Sequence, residues 1–354
     1  MLRLAFKRRL QAWMSTATHT THCVPLSTRA SDDIVVLDLK KQRAPRNVLV
    51  VGDGNFSYSK ALAGAFIREG ITPTTIIATS LDTQNEIDTM YPGASSSISA
   101  LKAAGARVLH GVNATSLGAH KASFGVHSGF DRIVFNFPHF AEGGNTRNKI
   151  SKHRTLLTEF FQSCQSVLAP HGQIWVALCQ GQGGSPADTL KRNEGDTWQV
   201  VPCAAAGQMI LLDVVSFPYA ELSLLGYHSV GYRLQDRAFH SEGGLIHIFG
   251  PESPSTGKPA RFAQSWTRHI SFWRGDGYSL DALQVALQHV LGPGVDIALT
   301  LHDTYHCNKT NHTSLTFHVT FESRVHNFSR QRLNDIVHVI AQKLAVLDVG
   351  IVRS

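Results

Sequence analysis

Four places in the first half of the chain set residue types that do chemistry at the ends of apolar runs. In VVGDGNFSYSKAL, residues 50–62, Gly52, Asp53 and Gly54 separate an apolar run from a helical stretch. Glycines in that position let a backbone approach a ligand, and the helix that follows offers unpaired N–H groups at its start. A third glycine is missing, so the dinucleotide fingerprint is not met and NAD is disfavoured; an ordinary turn fits the same residues. Asp82 follows IIATSL, where a carboxylate can accept both hydroxyl protons of a ribose, and Asn113 follows VLHGV, where a short amide can hydrogen-bond an adenine edge. Each also reads as a loop cap. The fourth run ends in FNFPHF, which places Asn136, Pro138 and His139 together. Proline fixes the backbone there, and an imidazole with a free pKa of about 6.5 is either a proton acceptor or a hydrogen-bonding bystander.

The elements that must position these residues follow from apolar rhythm. Runs at 47–52, 74–80, 107–111, 130–138, 172–179 and 209–217 read as strands, and 58–66, 98–105 and 153–168 as helices between them. Strands apolar on both faces that alternate with helices predict an α/β fold built on a parallel sheet covered on both sides. Ligands of such sheets bind along the edge where the strands end, which is where Gly52, Asp82, Asn113 and Asn136 fall. GPESPSTGKPAR, residues 250–261, lacks periodicity and reads as a linker. Beyond it, 268–273, 280–291, 295–306, 313–323, 328–345 and 348–353 give strand, helix, strand, strand, helix, strand, the ferredoxin-like α+β order.

Composition bounds the function. The chain has 354 residues, 43% hydrophobic and 17% charged, enough for more than one core. No apolar run reaches the roughly 18 residues of a membrane span. Its 5 cysteines include no CxxC pair, which argues against a disulfide scaffold or a structural zinc module. His302, His306, Cys307 and His312 bracket an expected hairpin without paired ligand spacing, so no metal is expected. The net charge of +7 is concentrated: residues 1–30 hold five basic residues and no acid, leaving 28 basic against 26 acidic residues in the rest. That opening, rich in arginine and hydroxyl residues, matches a mitochondrial transit peptide, with a disordered basic tail as the alternative.

The FNFPHF loop resembles the NPPY-type loop of S-adenosylmethionine-dependent methyltransferases. There a rigid loop aims backbone and amide oxygens at a target nitrogen while an aromatic ring stacks on the base, a contact of about 1–3 kcal/mol. VGDGNFSYS, ATSLD, HGVNAT, FNFPHF and NKISKHRTLLTEFFQSCQSVLAPHGQIWVAL, in that order, extend the likeness over residues 46–249. That span resembles the Rossmann-like eukaryotic methyltransferases that act on N3 of a uridine in large-subunit ribosomal RNA. The resemblance implies S-adenosyl-L-methionine as cofactor, with Gly52, Asp53, Gly54 and Phe56 around its methionine part, Asp82 on the ribose and Asn113 on adenine. It implies Asn136, Pro138 and His139 around the base. Asn113 stands where that family carries an acid. Arg147, Lys149, Lys152 and Arg154 form a basic run that meets phosphate or opens a solvated helix.

GYHSVGYRLQDRAFHSEGGLIHIFGP fits one branch of this family, the ferredoxin-fold anticodon-binding domain-containing proteins. RHISFW, LHDTYH and TSLTFHVTFES resemble the C-terminal domain of phenylalanyl-tRNA synthetase over residues 262–354. The expected partner is therefore RNA, rRNA or tRNA, and the expected activity is base methylation at uridine N3. The alternative is an RNA-binding protein that keeps the methyltransferase fold without turnover. An organelle leader points to mitochondria, whereas the ribosomal likeness points to nucleolus or cytoplasm.

Overall fold

Asn47–Val51, NVLVV, forms β1, and every one of its residues is buried. A strand apolar on both faces has to lie inside a sheet covered on both sides, and β1 does. In the computed structural model, which describes residues 45–71, 75–140, 146–230, 241–252 and 259–352, it pairs in parallel with β2 (Thr75–Thr79) and β4 (Phe130–Asn136). β3 (Arg107–Leu109) continues the sheet beyond β2, and β5 (Leu168–Leu178) beyond β4, both parallel. The full order is β3-β2-β1-β4-β5-β7-β6, with β6 at Met209–Ser216 and β7 at Leu245–Pro251.

The helices between these strands are α1 (Ser57–Arg68), α2 (Gln84–Met90), α3 (Ala94–Ala103), α4 (Lys121–Phe124), α5 (Thr146–Cys164), α6 (Val200–Ala205) and α7 (Tyr219–Leu224). Leu157, Phe160, Phe161 and Cys164 of α5 are wholly buried and join Leu49, Ile133, Ile174 and Phe249 of the sheet in one core. Fully burying each of these side chains contributes about 1.5–3 kcal/mol, so α5 is anchored by its apolar face.

Three differences from the sequence reading have physical causes. The sheet has seven strands, and β7 runs antiparallel between β5 and β6, so the sheet is not wholly parallel. β7 also extends to Pro251, which pairs with Met209, two residues into the stretch read as linker; a proline at a strand end gives up no ladder donor that is needed. α5 stops at Cys164 rather than 168, because the Val167 carbonyl accepts the Phe130 N–H and the chain is already joining β4.

The second sheet is fully antiparallel, order β11-β8-β10-β9, from β8 (Gln264–Arg274), β9 (Val295–Cys307), β10 (His312–Ser323) and β11 (Gly350–Val352). α8 (Leu280–Leu291) and α9 (Arg330–Val346) cover one face, with Leu283, Leu287, Leu333, Ile340 and Leu344 buried against Phe272, Phe317, Val319 and Phe321. This is the ferredoxin-like arrangement. Ser279 and Ser329 cap the two helices by accepting the N–H of Ala282 and Arg332. Among the described residues no helix is long and apolar enough to cross a membrane.

Asn327 ties the two sheets together. Its buried amide donates 2.9 Å hydrogen bonds to the carbonyls of Val201 and Met209. Glu252, just after β7, accepts from Asn327 N–H at 2.9 Å and from Arg332 at 2.8 Å, and lies 3.4 Å from His326 Nδ1. Burial by itself would raise the Glu252 pKa, but these donors outweigh it and hold the carboxyl below its usual value.

Candidate active site

Parallel pairing brings the carboxyl ends of β1, β2 and β4 to one edge, since Val50 faces Ala78 and Val51 faces Phe135. A cleft opens there, lined by Gly52, Asp53, Gly54, Asp82, Asn113, Asn136, Pro138 and His139. Eight of the nine site residues read from the sequence thus share one wall.

Phe56 is the exception. It is wholly buried, its ring meeting His110 edge-on at 5.5 Å, and it does not line the cleft. Its backbone has φ 59°, a left-handed conformation that turns the chain into α1. The residue serves the turn and the packing beneath it.

The glycines have distinct reasons. At Gly52, φ is +66°, and a Cβ would lie 2.9 Å from the Phe135 ring. At Gly54 a Cβ would come 3.2 Å from the Tyr91 hydroxyl, so the absent side chain lets Tyr91 close against the loop. The expectation of unpaired N–H groups at the start of α1 is corrected by the loop's own side chains. Asp53 accepts the Ser59 N–H at 2.7 Å, and Asn55 accepts the Ser57 N–H at 3.1 Å. An acid and an amide placed before a helix satisfy its first donors in this way. Burial pushes the Asp53 carboxyl up, against the pull of its Ser59 hydrogen bonds. Asn55 also donates to the His228 carbonyl at 3.3 Å, joining the glycine loop to the segment 227–230 that completes the cleft.

Asp82 is 7% exposed and stands directly before α2, whose N-cap is Thr83. The preceding Ser80 hydroxyl donates to the Asp82 carbonyl at 2.8 Å and fixes the turn. Asn113 lines the cleft, but its Oδ1 already accepts Thr115 N–H and Thr115 O–H, each at 3.0 Å. The carboxamide oxygen is committed to capping the 3₁₀ turn Ala114–His120, which leaves the Nδ2 donor as the group Asn113 can offer to a ligand.

β4 delivers the most strained part of the site. Phe137, directly before Pro138, has φ 46°, a conformation that costs a non-glycine residue about 1–3 kcal/mol and is held by its surroundings. Its N–H donates to the Ala177 carbonyl at 2.8 Å and its ring meets Phe217 edge-on at 5.0 Å. Asn136 Nδ2 is shielded from solvent and, among the described residues, has no acceptor besides the Tyr58 hydroxyl. Beside that amide lies the Tyr58 hydroxyl, whose pKa is pushed up to about 12 chiefly by burial, so it stays protonated. Phe140, the further ring of the loop, does not line the cleft; Lys152 Nζ sits 4.9 Å from its centre.

His139 is accompanied by a second imidazole, His153 of α5, with Nδ1 and Nε2 3.4 Å apart. Desolvation, the neighbouring imidazole and the charge of Lys149 all hold His139 below the usual histidine pKa, so it is neutral at pH 7. His153 is 5% exposed, stacks on Trp198 at 4.1 Å with an 18° interplanar angle, and is likewise held low, mainly by burial. Arg154, part of the run read as meeting phosphate or opening a solvated helix, is occupied elsewhere. Its guanidinium donates to the carbonyls of Glu194, Gly195 and Thr197 at 2.7–3.0 Å and holds the loop that carries Trp198.

Residues 49–231 match the profile of the family described as rRNA (uridine-N3-)-methyltransferase BTM5-like, just over half of the chain. The chain belongs to the BMT5-like family. It is 41% identical over 219 residues to the human ferredoxin-fold anticodon-binding domain-containing protein 1, covering 62% of this chain and 33% of that protein. The mouse homologue is 40% identical over 211 residues, covering 59% and 32%. The chain therefore spans about a third of the length of these two relatives. Among solved structures, TrmN from Thermus thermophilus is similar at 15% identity with a TM-score of 0.33, over 61% of this chain and 47% of that one.

Sequence reading missed Tyr58, Tyr91, Asn55 and His228 in and around the cleft, and His153 and Trp198 behind His139. Tyr58 and Asn55 lay within the quoted glycine stretch, where their position beside a strand end was the available signal. His153 and Trp198 meet across 45 positions, and no local pattern announces such a stack.

Proposed function

We propose that the chain is an S-adenosyl-L-methionine-dependent RNA methyltransferase acting on a base, with uridine N3 as the target atom. The observation that carries this reading is Asn136: a solvent-shielded amide at the cleft wall, next to the strained Phe137, whose two N–H donors have, among the described residues, no acceptor besides the Tyr58 hydroxyl. Leaving such a donor unsatisfied costs about 1–3 kcal/mol, and a carbonyl oxygen of a bound base removes that cost.

The residues present fit the cofactor. Gly52 and Gly54 offer backbone without side chains, Asp82 offers a carboxylate to ribose hydroxyls, and Asn113 offers an amide donor to the adenine edge. When bound, the cofactor supplies an electrophilic methyl group. The remaining work belongs to the protein. Uridine N3–H lies between two carbonyl oxygens, so an amide donor and a proton acceptor side by side match that edge. Asn136 donates to one carbonyl, while neutral His139 accepts the N3 proton as the nitrogen lone pair is used. Pro138 and the buried Phe137 hold both groups at fixed positions, which lowers the entropic part of the barrier. The second sheet binds the RNA and the first performs the chemistry on it; the ferredoxin-like fold and the name of the human relative support this division.

One observation favours the rival reading of an RNA-binding protein without turnover. The Asn113 oxygen and two N–H groups of α1 are used internally, which leaves fewer groups for a cofactor. Transfer of labelled methyl from S-adenosyl-L-methionine to total rRNA and tRNA, followed by nucleoside mass analysis, separates the two. A labelled 3-methyluridine supports the enzyme; folded protein that labels no nucleoside in either RNA pool contradicts it. Mitochondrial import by residues 1–30, which lie outside the described residues, is also part of the proposal, and a reporter fused to them that stays cytosolic refutes it.

A further inference from the structure

We infer that His153 is a positioning residue that fixes the tautomer of His139, placing the proton of that ring on Nδ1 and making Nε2 its acceptor. The use made of that acceptor rests on the uridine reading above; the tautomer itself rests on geometry.

Among the described residues, the hydrogen bonds around His153 point to one assignment. His153 Nδ1 lies 2.6 Å from the Lys149 carbonyl, which only accepts, so His153 carries a proton on Nδ1. The Phe140 N–H points at His153 Nε2 at 3.2 Å, so that nitrogen holds a lone pair and the ring is neutral. His139 Nδ1 stands 3.4 Å from the same Nε2. With no hydrogen on His153 Nε2, the proton between the rings belongs to His139 Nδ1, and His153 Nε2 accepts a long, shared bond from two donors. Nε2 of His139 is then the basic nitrogen of a ring that lines the cleft.

The surrounding structure keeps His153 from turning out of this role. Trp198 stacks on its ring, and Arg154 fixes the loop leading to Trp198 through three carbonyls. Lys149 is one helical turn before His153, so α5 supplies both the orienting carbonyl and the oriented ring. A histidine held through one nitrogen by a fixed partner has its other nitrogen's state decided by that bond. A free imidazole in water favours the opposite form, with the proton on Nε2.

Nitrogen-15 long-range NMR of the full chain labelled at histidine, with the His139 signal assigned by its loss in His139→Asn, reads the tautomer directly. The expected result is a protonated Nδ1 and a bare Nε2 in the native protein. His153→Phe keeps a ring against Trp198 but removes the acceptor, and should move His139 toward the Nε2–H form. In that variant kcat for methyl transfer should fall by about 10-fold or more with KM for RNA little changed, as for a weakened general base. His153→Gln, whose amide oxygen can accept from both donors, should restore the Nδ1–H form and most of the rate. A native His139 protonated on Nε2, or a tautomer unmoved by His153→Phe, overturns the inference. The expected tautomers in a protein that transfers no methyl group would uphold the positioning and remove the uridine reading instead.

Discussion

Asn136 is a residue whose removal should separate activity from stability. Among the described residues its Nδ2 has no acceptor besides the Tyr58 hydroxyl, so Asn136→Ala takes little from the fold while deleting the donor proposed for the base. Methyl transfer should fall by about 100-fold, the size of one missing oriented donor, with the melting temperature unchanged or raised. A variant that loses stability and keeps its rate would show that the amide serves the fold. The pH dependence belongs to His139. Its pKa lies below the ordinary 6.5, and the neutral form is the acceptor, so the rate should be level near pH 7 and fall as pH drops through that lowered value. Rate profiles in matched ionic strength check this; a rate that rises on acidification would exclude His139 as base.

At the scale of elements, the glycine turn between β1 and α1 is built by its own side chains. Gly52→Ala puts a methyl group 2.9 Å from the Phe135 ring at a φ of +66°. The crowding and the left-handed backbone together should cost about 2–3 kcal/mol in denaturant unfolding. A cost near zero would mean that Phe135 and the turn yield easily. Much of the cleft was legible because parallel strands end on a common edge: Gly52, Asp82, Asn113 and Asn136 each follow an apolar run, and the fold collects them. What the runs could not show is where a side chain's hydrogen bonds go. Asn113 and Asp53 look the same in sequence whether they face a ligand or cap a helix, and Arg154 looks like any basic residue until the 194–197 loop closes on it. β7 escaped for a related reason, since its neighbours β5 and β6 are chosen by long-range pairing.

For the whole molecule, the two sheets are joined by a buried polar seam at Asn327 and Glu252. Asn327→Leu leaves the carbonyls of Val201 and Met209 without their side-chain donor, and should lower stability by about 2–3 kcal/mol in calorimetric unfolding. An unchanged unfolding transition would show that the seam is dispensable. Glu252 adds a pH sign: its folded pKa is depressed below 4.5, so its contribution is present above 4.5 and is lost as pH falls through the lower folded value. Under the proposed function, a seam of this kind would let the second sheet hold a bound RNA at a defined place relative to the cleft. The claim on which the proposed activity depends is that the cleft holds S-adenosyl-L-methionine. Calorimetric titration of the full chain with that cofactor, beside Asp82→Ala, tests it most directly. Micromolar binding that weakens by about 100-fold in Asp82→Ala, as for the loss of charge-assisted hydrogen bonds to a ribose, is the predicted result. Folded native protein that takes up no cofactor at millimolar concentration would contradict it.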